Sequence, residues 1–160
     1  MLCRHPVGGG RFDESARRAS HEELAVAKVL VAEGHDVRTV RERRDMRTPD
    51  LIACGTSVEV KSFLQLSERG GRPPTGEAVA NKLLGARGQG AQAVIWAKGS
   101  GLSRSAAWTG YGLFCQLARQ SGGAGLVRGV RLLGDGFDLS YRVPADLRQA
   151  GPGKRPRLAL

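Results

Sequence analysis

The chain has 160 residues, and 25 Lys and Arg against 15 Asp and Glu leave a formal charge of +10. That length is one domain's worth of chain, and with 41% hydrophobic but only 5% aromatic residues it fills an ordinary core with few large rings. The charge excess favours a polyanionic partner, nucleic acid first, and the most apolar run, Leu24 to Ala32, is too short and too broken by Lys28 to cross a membrane.

Residues 1–18 read as a loose tail, rich in Gly and Arg without periodicity and without the apolar stretch of a secretory signal. The body, 19–146, opens at Ser20, whose hydroxyl can cap a helix while Glu23 reaches back to close a capping box. Leu24, Val26, Ala27, Val29, Leu30 and Val31 supply its apolar stripe and Gly34 its left-handed stop, which predicts a helix over 21–33. A short strand is expected within 36–40, then a polar stretch, Arg41 to Arg47. Two β-rich runs, 50–53 and 58–63, flank Cys54-Gly55-Thr56-Ser57 as a hairpin. Gly70 to Gly76 is a loop, and the neighbouring basic residues, Arg69 to Arg72, are expected to form a positive surface beside the hairpin.

A helix is predicted over 78–88, a buried strand over 91–97, and a further helix over 105–120 that Gly110 and Gly112 weaken. The runs 127–133 and 137–143 bracket Gly134-Asp135-Gly136 as a closing hairpin. Residues 147–160, ending AGPGKRPRLAL, read as a basic tail. The order α, three strands, α, strand, α, two strands predicts a mixed α/β fold. Cys3, Cys54 and Cys115 are odd in number, far apart and never in a CxxC pair, which argues against disulfides and a zinc knuckle and fits a reducing, cytoplasmic site of action.

The chemistry concentrates in Pro49-Asp50, eight residues, then Glu59-Val60-Lys61. Strand side chains alternate, so Glu59 and Lys61 share one face and Val60 takes the other. A two-residue turn centred on Gly55-Thr56 sets Asp50 opposite Lys61 and diagonal to Glu59. Two carboxylates so placed can grip a divalent metal through oxygens about 2.0–2.1 Å away, and magnesium so held keeps waters and accepts phosphate. Lys61 then orients a water or steadies charge developing on phosphorus.

These residues resemble the signature of the PD-(D/E)xK nuclease superfamily. The resemblance covers about residues 20–98 and implies a restriction-endonuclease-like core, a central mixed β-sheet flanked by helices, working with Mg2+ or, in its place, Mn2+. It also implies a Glu from the helix before the hairpin as a third metal ligand beside Asp50 and Glu59, either Glu22 or Glu23, with Glu23 preferred from its distance to Gly34, and a catalytic Gln, Gln89, after the second helix. The run from Glu23 through Ala27, Leu30, Gly34 and Val37 to Pro49-Asp50 is similar to the C-terminal nuclease domains of bacterial contact-dependent inhibition toxins. That similarity implies tRNA as the favoured substrate, DNA as the runner-up, an acidic immunity protein as partner, and delivery into neighbouring cells.

Simpler readings stand beside these. Asp50 can be a turn residue after Pro49, Glu59 and Lys61 a solvated strand face, Glu23 only a capping partner and Gln89 a surface amide. His5, His21 and His35 lack a neighbouring nucleophile or ligand spacing and are expected at the surface. Trp96 reads as core; Trp108 and Tyr111 as core or as a platform on which a base stacks. The rival function is a basic nucleic-acid-binding module without catalysis.

Overall fold

Ser20 starts the first helix as its sequence requires. Its hydroxyl accepts from Glu23 N–H at 3.2 Å while Ser20 N–H donates to Glu23 at 2.9 Å, closing the capping box. A computed structural model describes residues 9–149, and in it α1 spans His21–Ala32. The helix ends in a Schellman motif: Gly34 has φ 91°, its N–H donates to Val31, and His35 N–H donates to Leu30.

Seven strands form one sheet in chain order: β1 (Phe12–Asp13), β2 (Val37–Thr39), β3 (Leu51–Ala53), β4 (Thr56–Ser62), β5 (Gln92–Trp96), β6 (Gly129–Gly134) and β7 (Phe137–Arg142). β1 runs parallel to β2, β2 to β4 form an antiparallel meander, β4, β5 and β6 are mutually parallel, and β7 returns antiparallel. The sheet is therefore mixed, with helices on both faces. On one face α1 buries Val26, Ala27 and Leu30 against Leu51, Ala53, Val58, Val94 and Leu133. On the other, α2 (Gly76–Gly85) and α3 (Arg104–Ser121) bury Val79, Leu83 and Phe114 against Ala93, Ile95, Val130 and Leu132. The alternation Ala93, Val94, Ile95 thus feeds both layers, as a fully covered central strand must.

α2 and α3 cross closely because two glycines meet there. A Cβ on Gly110 would lie 2.5 Å from Val79 Cβ and 2.7 Å from the Gly76 carbonyl oxygen. Gly110 therefore sets the helix packing, whereas Gly112 faces open space.

Several expectations are corrected. The N-terminal segment is no loose tail from Gly9 onward: Arg11 C=O accepts from Val37 N–H at 2.8 Å, Arg11 N–H donates to Asp36, and Phe12–Asp13 joins the sheet. The start of the expected basic tail is also ordered, as α4 (Ala145–Gln149) with Leu147 buried, while the rest of that tail and residues 1–8 lie outside the described residues. His35 is buried rather than exposed, its Nε2 3.9 Å from Glu33. Cys54 is disulfide-bonded, so three scattered cysteines did not exclude a pairing; Cys115 is free and buried. Trp96 packs half-buried at the edge of the α1 layer, and Trp108 is 66% exposed and so outside the core. No helix among the described residues is long and apolar enough to cross a membrane.

Candidate functional site

The hairpin turn decides which side chains meet. Cys54 (φ 46°) and Gly55 (φ 78°) both adopt left-handed conformations, the pattern of a two-residue type I′ turn, and Ala53 pairs with Thr56 and Leu51 with Val58. The expected turn at Gly55-Thr56 is thus one residue too late. The same count continued places Asp50 opposite Glu59, not opposite Lys61. Asp50 sits where the ladder opens: its N–H donates to Val58 at 3.1 Å, and its carboxylate accepts from Val60 N–H at 2.8 Å in place of a main-chain partner. That hydrogen bond fixes the carboxylate at the mouth of the hairpin.

Glu59 is 3% exposed because β4 is a central strand and its side chain points to the α2 side of the sheet. Lys61, two residues on and on the same face, donates to Glu59 Oε1 at 2.6 Å and to Gln89 Oε1 at 3.3 Å. Glu59 Oε2 is buried with no hydrogen-bond partner among the described residues. A buried carboxylate oxygen left unpaired costs free energy, and such an atom in a folded protein marks a place for a water or a cation.

Glu23, buried where Glu22 is half-exposed, is the acid that faces this region. Both its oxygens are taken by Arg17, through Nη1 at 2.7 Å and Nη2 at 3.1 Å. Arg17 also donates from Nη2 to the Asp50 carbonyl at 3.1 Å and from Nε to the Val40 carbonyl at 2.8 Å, and Nη2 stands 3.8 Å from Asp50 Oδ1. One guanidinium therefore ties α1 to the hairpin mouth. Arg17 belongs to the segment read as a tail, and no motif or periodicity in the sequence points to it.

The acids perturb one another. Burial raises the Asp50 carboxyl, the Val60 N–H opposes it, and the nearby charges of Glu59 and Glu23 raise it further, to about 7. Burial also pushes Glu23 up, but the hydrogen bonds from Arg17 and Ser20 outweigh it, holding Glu23 below the ordinary carboxylate range. On the far side of Lys61, Lys82 of α2 lies 4.9 Å over the Phe63 ring and Arg69 5.9 Å over the same ring. Burial, then the charges of Lys61 and Arg69, lower the Lys82 ammonium. The site thus has an acidic end, Asp50 and Glu59, and a cationic end, Lys61, Lys82 and Arg69. Lys82 is a second residue the sequence reading did not assign to it.

Lys61 is hydrogen-bonded to Glu59 and Gln89, Asp50 lies across the hairpin from Glu59 rather than from Lys61, and Glu23 adjoins Asp50 while bound to Arg17. Among the described residues, no group of three or more His, Cys, Asp and Glu is arranged to hold a metal ion. Tyr111 stacks on Tyr141, ring centroids 4.0 Å apart, so its ring serves packing. No family model, curated protein or solved structure matches the chain.

Proposed function

We propose that the chain is a metal-dependent endonuclease of the PD-(D/E)xK type, cleaving phosphodiester bonds in RNA, with tRNA the favoured substrate and DNA the alternative. The observation that carries the reading is the unpartnered, buried Glu59 Oε2 beside an Asp50 whose proton affinity burial first, and then two neighbouring carboxylates, have raised. An orphaned oxygen and crowded negative charge are what a divalent cation would relieve. The chain also has the helix before the hairpin and the helix after it that the resemblance implies, α1 and α2.

Asp50 and Glu59 are the residues that would hold magnesium or manganese; one or two carboxylates are the usual protein share of such a site. The cation supplies polarisation of the phosphate and a lowered pKa for bound water. Glu23, its oxygens taken by Arg17, then acts as a positioning residue for Asp50 rather than as a ligand. Lys61 holds its ammonium against the buried Glu59, and Gln89 limits its swing, so the charge is placed before substrate arrives. From that position Lys61 steadies negative charge on the phosphate oxygens, while Lys82 and Arg69 draw the flanking backbone toward the site. An acidic immunity protein covering this basic surface belongs to the same proposal.

The test is incubation with total tRNA, single-stranded RNA and duplex DNA, with magnesium and with EDTA. Cleavage that requires magnesium and disappears in Asp50→Asn and Glu59→Gln is expected. Binding without cleavage of any substrate would leave the basic nucleic-acid-binding module.

A further inference from the structure

A second basic site lies away from the Asp50–Glu59 pair. The starts of β4, β5 and β6, the end of β7 and α4 enclose a pocket of about 520 Å³ whose walls include Arg128, Arg142, Arg148, Thr56 and Gln92. No carboxylate lines it among the described residues. None of the three guanidinium groups makes an ion pair among the described residues, although Asp146 neighbours Arg148 in sequence. Arg148 Nε is buried without a hydrogen-bond partner among the described residues.

Three like charges converging on one cavity repel one another, and a buried donor without an acceptor costs more than a solvated one. Two half-buried arginines elsewhere are neutralised by acids: Arg17 takes Glu23, and Arg131 takes Glu33 and Asp138. Among the described residues Arg128, Arg142 and Arg148 have no such acid; Arg128 and Arg142 are exposed and Arg148 half-buried, so the pocket presents unneutralised positive charge that an anion can meet. The planar fork of a guanidinium matches the oxygens of a phosphate two at a time, and Thr56 and Gln92 add neutral donors on the same walls.

We infer that this pocket is a binding site for a phosphate group, held between Arg128, Arg142 and Arg148. The inference does not rest on the nuclease reading, since it concerns the β6–β7 half of the molecule and needs no metal. The phosphate comes either from a free phosphate compound or from the backbone of a nucleic acid. Two probes separate these sources: pyrophosphate and a short single-stranded RNA.

Binding of each probe is measured by calorimetric titration of the full chain in EDTA, which stops metal-dependent cleavage. The variants are Arg142→Gln, Arg148→Gln and, as an equal change of charge on an exposed position of α1, Lys28→Gln. Each pocket variant is expected to weaken binding about tenfold, the scale of a lost charge-assisted contact, with Lys28→Gln close to the parent chain. That pattern with pyrophosphate assigns the site to free phosphates; the pattern with RNA alone assigns it to the backbone. Failure of both probes to bind, or pocket variants no weaker than Lys28→Gln, overturns the inference. Arg142 is exposed, so its variant tests the site even where Arg148→Gln lowers the melting temperature. Loss of this site leaves magnesium-dependent cleavage as an independent question.

Discussion

At the scale of single residues, Asp50 joins stability to chemistry. Its carboxyl titrates near 7, well above the about 3.9 of an unfolded chain, so the folded state holds that proton more tightly. Between about pH 4 and 7 the native chain then carries more bound proton than the unfolded one, and stability falls as pH rises through this window before levelling off. Asp50→Asn keeps an acceptor for Val60 N–H and removes the charge. In EDTA it is expected to stabilise the chain by about 2 kcal/mol at pH 8, less than the full shift implies because the side chain is a quarter exposed, and by nothing near pH 4. Denaturant midpoints at the two pH values measure this; an equal gain at both contradicts the assigned titration. Lys61→Met separates catalysis from metal holding: magnesium binding should persist while turnover falls by on the order of 10² to 10³, read by titration beside a cleavage assay. That Glu59 and Lys61 share a face was legible because strand side chains alternate, whereas the partner of Asp50 was not, because it depends on which two residues make the turn. Arg17 was not, because its role depends on where a non-periodic segment crosses the mouth of the hairpin.

At the scale of elements, termini and turns carried most of the local signal. The Ser20–Glu23 box and Gly34 set both ends of α1, since each satisfies main-chain groups that the helix cannot satisfy itself. The hairpin register was misread by one turn position because Cys54, a residue with a Cβ, takes the left-handed conformation that the sequence assigned to its neighbours. The glycines of α3 carry two meanings that propensity alone does not separate. At Gly112, where a Cβ meets nothing within 4 Å, Gly112→Ala is expected to stabilise by about 0.5–1 kcal/mol. At Gly110 the same change drives a methyl into Val79 and the Gly76 carbonyl, so Gly110→Ala is expected to destabilise by about 1–3 kcal/mol despite the better helix former. Thermal melts of the two variants should move in opposite directions; parallel shifts would remove Gly110 from the α2–α3 contact.

At the scale of the whole molecule, the excess of ten positive charges is unevenly compensated. The α1 side pairs its arginines internally through Arg17 and Arg131, whereas Arg41, Arg44 and Arg47 stand exposed on the segment that leads into Asp50, and Lys82 and Arg69 stand beyond Lys61. Composition alone gave the size and sign of this charge; only the sheet order shows that part of it borders the candidate site and part the pocket of Arg128, Arg142 and Arg148. The mixed α/β class was legible from the order of periodic runs, but the seventh strand was not, because Phe12–Asp13 is two residues long and is held by contacts with β2 rather than by its own pattern. A surface of this kind binds nucleic acid mainly through counterion release, so affinity for single-stranded RNA in EDTA should fall linearly with the logarithm of salt concentration, by about 0.7 per phosphate contacted. Removing Lys82 and Arg69 together, as Lys82→Gln with Arg69→Gln, should lower that slope by about 1 to 2 while the fold stays intact, since both head groups lie over the Phe63 ring rather than in an ion pair. Fluorescence anisotropy across a salt series reads the slope directly. A slope unchanged in the double variant would place the bound strand away from Lys61, and with it would fall the argument that the acidic pair and the cationic end act on one phosphodiester.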